Sequence, residues 1–74
     1  MNTEYLYELR ELHLSHARLN WARAAEAKAN PSLTPRLRDA FAAFYKTYGD
    51  QERDLSELCE HEARRSCYPT EDAA

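Results

Sequence analysis

Between Pro35 and Ser66 the chain reads PRLRDAFAAFYKTYGDQERDLSELCEHEARRS. Leu37, Phe41, Phe44, Tyr48, Leu55 and Leu58 recur there at alternating steps of four and three residues, with Gln51 and Glu62 filling the gaps. That alternation keeps one stripe in line along a long α-helix. The stripe is roughly 100° wide on a helical wheel, and Asp50, Asp54, Glu57 and Glu60 fall on the other side. A helix of this kind has an apolar seam that needs a partner and an acidic ridge that does not.

The partner is found upstream. From Glu4 to Ala29 the chain contains neither Gly nor Pro. Its main stripe holds Tyr5, Leu6, Leu9, Leu12, His13, His16, Leu19, Asn20, Ala24 and Ala27. A flank of Tyr7, Leu14, Trp21 and Ala25 widens that stripe to more than half the circumference, so one neighbour cannot cover it. Asn30-Pro31 stops this helix, with Asn30 suited to a left-handed C-terminal position. Thr34-Pro35 reads as the N-cap and first residue of the next. The short connection makes the two helices antiparallel neighbours. The expected organisation is one helical domain over residues 1–68, with a helix over about 3–29, a turn over 30–34 and a helix over about 35–66. Residues 69–74 are expected to form a flexible acidic tail.

Composition agrees with an all-α antiparallel hairpin. Val and Ile are absent, while Ala, Leu, Glu and Arg abound. Gly49-Asp50 is the one place where the second helix could break and give three helices. The unshifted stripe on both sides favours a continuous helix. Seventy-four residues are close to the lower limit for a self-sufficient core. Pairing of two hairpins into a dimeric bundle would relieve that shortage.

A turn centred near residue 32 makes facing residues sum to about 64. Leu9 then faces Leu55, Leu6 faces Leu58, and Asn20 faces Phe44. In the same register His13 meets Gln51 and His16 meets Tyr48. His13, His16, Asn20, Tyr48 and Gln51 therefore read as a polar core layer, of the kind that fixes register and oligomeric state. Metal or small-ligand binding through His13 and His16 with Cys59 and His61 is the alternative; against a zinc site, Cys59 and Cys67 do not form a close Cys pair, and the register sets Cys59 roughly 12–15 Å from the histidines. No metal or other cofactor is expected. Cys59 and Cys67 are too far apart along a helix for an internal disulfide.

The formal charge of −3 is unevenly spread. Residues 1–48 carry seven Lys/Arg against five Asp/Glu, and residues 49–74 carry three against eight. Direct nucleic-acid binding is not expected from that balance. No apolar run suggests a signal peptide or membrane span, and a cytoplasmic location is the simplest expectation. No nucleophile–base pair, phosphate loop or dinucleotide fingerprint is present, so no enzymatic activity is expected.

The remaining reading is a protein that acts by binding another protein. The acidic ridge of Asp50, Asp54, Glu57 and Glu60 and the flank of Tyr7, Leu14 and Trp21 are the expected contact surfaces. In general type the chain is similar to small accessory proteins of phages and other mobile elements, which often bind and block a host machine. That similarity implies an inhibitor or regulator of anti-defence type, and no residue carries over from it.

Overall fold

The computed structural model describes residues 3–66; the expectations for Cys67 and for the tail at 69–74 lie outside them. Two helices, α1 (Thr3–Ala29) and α2 (Pro35–Ser66), pack antiparallel along their lengths. α2 passes through Gly49 without a break. The molecule measures 59 × 18 × 12 Å, with a radius of gyration of 17.2 Å. A compact domain of this length would have a radius of gyration near 11 Å. The hairpin is therefore a slab one helix thick, and most side chains lie near its surface.

The turn is closed by its own polar groups. Leu33 N–H donates to Asn30 O, and the Asn30 side chain accepts from Ser32 N–H at 2.9 Å. Thr34 Oγ1 accepts from Leu37 N–H at 3.3 Å, which is the N-cap bond. Arg38 Nε then reaches back to the carbonyls of Asn30 and Leu33 at 2.8 and 3.0 Å, satisfying acceptors that the end of α1 leaves open. Asn30 does not take the left-handed conformation expected for it; no described residue has positive φ. A tightened last turn, with Asn30 N–H bonded to Ala27 O, ends α1 instead.

The seam between the helices departs from expectation. On α1 it is formed by Thr3, Leu6, Arg10, His13, Ala17, Asn20, Ala24 and Ala27, all buried or half-buried. On α2 it is formed by Arg38, Ala42, Tyr45, Gly49, Glu52, Ser56, Cys59 and Ala63. Both series step by three and four residues, as coiled-coil seams do. Ser56 Oγ donates to Arg10 O and Gly49 lies against Ala17, so facing residues sum to about 66 rather than 64. The fully buried positions of α2 are Ala42, Gly49, Ser56 and Ala63, one per heptad and all small. The stripe Leu37/Phe41/Phe44/Tyr48/Leu55/Leu58 does not close the hairpin, and all six side chains are exposed. Leu9–Leu55 and Leu6–Leu58 are accordingly not the seam pairs. Small residues let the helices approach closely, and α2 turns them inward, about 100° away from its large side chains.

Gly49 shows why. The Trp21 indole occupies the space where a Cβ on residue 49 would sit, and Ala17 O is 3.1 Å from that position. Trp21 Nε1 donates to Asp50 Oδ1 at 3.0 Å. The tryptophan is thus spent inside the hairpin, bridging α1 to α2.

Candidate functional site

The two helices run in opposite directions, so stepping back one residue from each seam position rotates both to the same side of the slab. On α1 that step reaches Tyr5, Leu9, Leu12, His16 and Leu19. On α2 it reaches Leu37, Phe41, Phe44, Tyr48, Gln51, Leu55 and Leu58. Among the described residues, every exposed large apolar side chain except Tyr7 belongs to this face, and Leu58 and Phe44 are 56% and 53% accessible. Depressions in the surface agree with the assignment. Arg23 and Glu26 share one with Phe41 and Tyr45 on this side, whereas Trp21, Ala25 and Lys28 share another with Asp39, Ala43 and Lys46 on the opposite side.

The apolar face is about 33 Å long over residues 37–58 and spans the 18 Å width of the slab. Its apolar part has a footprint of roughly 500 Å², which is large for an isolated surface patch. On α2 only Gln51 interrupts it; on α1 His16 does, and beyond Leu19 the α1 half opposite Leu37–Phe44 carries Arg23 and Glu26. The seam register places His16 and Gln51 at the same level. That level is within a helical turn of the middle of the face. On α2, Phe44 packs edge-on against Tyr48, with ring centroids 4.7 Å apart.

The opposite face is charged in both signs. Asp50 accepts from Lys46 at 2.8 Å and from Trp21, and together these hold its carboxyl below the usual carboxylate range, Lys46 contributing most. Glu60 pairs with Arg10 at 2.8 Å and lies 3.5 Å from Arg64. Arg53 lies between Asp54 at 3.2 Å and Glu57 at 3.9 Å. The ridge expected from Asp50, Asp54, Glu57 and Glu60 is therefore interleaved with Lys46, Arg53 and Arg64 and largely compensated. Its outward field is weaker than four bare carboxylates would give. The flank of Tyr7, Leu14 and Trp21 is also partly used internally. Leu14 is half-buried, Trp21 covers Gly49, and the Arg10 guanidinium lies 5.4 Å from the centre of the Tyr7 ring.

The polar layer takes a different composition from the one expected. His13 Nδ1 donates to Glu52 Oε2 at 2.5 Å, with both side chains about three-quarters buried. His16 Nδ1 lies 3.6 Å from the same oxygen, and its ring stands edge-on to that of His13. Asn20 turns back to donate to His16 O of its own helix. Tyr48 and Gln51 are exposed and face away from the seam. Glu52, one residue beyond Gln51, takes the place opposite His13. Cys59 is a free thiol half-buried in the seam, two turns from Glu52, and His61 is exposed on the outer surface. Neither joins the histidine cluster.

No helix among the described residues is long and apolar enough to cross a membrane. Comparison with known protein families, with characterised proteins and with solved structures finds no match.

Proposed function

We propose that this chain is a non-enzymatic, protein-binding hairpin whose apolar face pairs with a second copy to give a two-fold four-helix bundle. The observation that supports it is the collection of nearly all exposed large apolar side chains of the described residues on one face, while Leu6 and Tyr45 are the large apolar side chains of a seam otherwise built from small and polar residues. Covering a half-exposed Leu or Phe contributes about 1 kcal/mol.

A second copy suits this face for three reasons. Its 4-3 spacing on both helices is the pattern that interlocks with another surface of the same spacing. Two apolar footprints together come to roughly 1,000 Å², the size a specific interface has to reach. The polar pair His16 and Gln51 lies near the middle of the face, so a two-fold axis there sets these groups against their own copies and Leu55 and Leu58 of α2 against Tyr48 and Phe44 of the second copy's α2. The charged face stays outside, free for a larger partner that such a bundle would regulate or inhibit.

Phe44→Glu and Leu58→Glu place a charge in the face without touching the seam. Sedimentation equilibrium of the wild type and both variants, with circular dichroism to confirm helix content, tests the reading. The expected outcome is a dimeric wild type and variants that dissociate at micromolar concentration. Variants as dimeric as the wild type would refute it.

A further inference from the structure

We infer that His13, His16 and Glu52 form a binding site for a first-row divalent transition-metal ion of the zinc class. The site is complete within one hairpin and does not depend on pairing with a second copy. His13 and His16 are three residues apart on α1 and so project side by side. Glu52 enters from α2 at the same level. One ligating atom from each of the three lies within 4.8 Å of the others. A zinc ion held at about 2.0–2.2 Å from imidazole nitrogen and carboxylate oxygen requires ligand atoms about 3.3–3.5 Å apart in a tetrahedron. The His16 Nδ1–Glu52 Oε2 separation of 3.6 Å is already close to that edge, and the His13–Glu52 hydrogen bond would lengthen to it as the ion replaces the shared proton.

The donor set supports the class of ion. Two imidazoles and one carboxylate suit zinc, nickel or cobalt better than calcium or magnesium, which favour oxygen ligands. Two His and one Glu leave the fourth coordination position open. His16 is the most accessible of the three, with its side chain 48% exposed in the single hairpin, and it stands on the apolar face, so the open position faces solvent in one hairpin and would face the second copy in a paired bundle. The ligands come from both helices, so an ion would tie α1 to α2 at mid-length. Binding to the folded state alone would then raise the hairpin's stability. Cys59 and His61 have no place in this set.

Untagged full-length chain, stripped with chelator, should be titrated with zinc and with cobalt by calorimetry, and its melting followed with and without zinc. His16→Gln and Glu52→Gln are the informative variants; Cys59→Ser and His61→Gln control for the other soft ligands. The expected result is one ion per chain, a zinc-dependent rise in melting temperature, and affinity lowered by about a hundredfold or more in His16→Gln and Glu52→Gln, a larger effect than loss of an outer-shell partner. Cys59→Ser and His61→Gln should bind as the wild type does. Failure of wild type to bind either ion at micromolar concentration would overturn the site. So would affinity unchanged in His16→Gln and Glu52→Gln, or binding lost in Cys59→Ser.

Discussion

Gly49 and Trp21 carry the most information at the scale of single residues. An open helical position normally gains about 1 kcal/mol when glycine becomes alanine. At position 49 the added methyl would meet the indole of Trp21 and crowd Ala17 O. Gly49→Ala is therefore expected to destabilise the chain by about 1–3 kcal/mol in thermal or urea unfolding. In a Trp21→Ala background the same substitution should cost much less or become stabilising, because the indole is gone. Equal effects in the two backgrounds would show that the tryptophan does not set the glycine requirement. Asp50 gives a pH signature. Lys46 and Trp21 favour its ionised form in the folded state, so its folded-state pKa lies below the unfolded one. The stabilisation is fully present above the unfolded value, near 3.9, and is lost as pH falls through the folded value. The difference in melting temperature between wild type and Asp50→Asn should accordingly shrink below about pH 4. The apolar spacing carries no hint of the Trp21–Gly49 contact, because a side chain resting on a glycine leaves no periodic mark.

At the scale of elements, the helices and their ends were legible and the rotation of α2 was not. Asn30-Pro31 and Thr34-Pro35 mark the turn through backbone chemistry, which acts locally. The choice of face is tertiary. Two series of heptad spacing run side by side on α2, one large and apolar, the other small: Ala42, Gly49, Ser56 and Ala63. Hydrophobicity points to the first as the seam, but close packing of two helices takes the second. In the proposed four-helix bundle each helix would face two neighbours and would use both series. Glu52 was missed for the same reason, because the shifted register replaces Gln51 with its neighbour opposite His13. The small series can be tested by overfilling it. Ala17→Leu or Ala42→Leu should push α1 and α2 apart and lower stability by about 1–3 kcal/mol in urea unfolding, although leucine is a good helix former. A neutral or stabilising result would mean that the seam is looser than the buried alanines indicate.

At the scale of the whole molecule, a slab 12 Å thick has no interior of its own. Among the described residues no large side chain is fully buried, and nearly all the exposed large apolar groups stand on one broad side. The sequence conveyed the shortage of core and the benefit of pairing; it did not show which surface pairs, because Trp21 and the acidic residues are also conspicuous in it. Their internal use, Trp21 on Gly49 and the carboxylates on Arg10, Lys46, Arg53 and Arg64, leaves the Leu/Phe/Tyr face as the surface without a partner. The most direct measurement is molar mass by light scattering over a range of concentrations, in reducing buffer, for wild type and Phe44→Glu. Pairing through the apolar face predicts twice the 8.6 kDa chain mass for the wild type and the single-chain mass for the variant. A monomeric wild type, or a Phe44→Glu chain that remains dimeric, would contradict it.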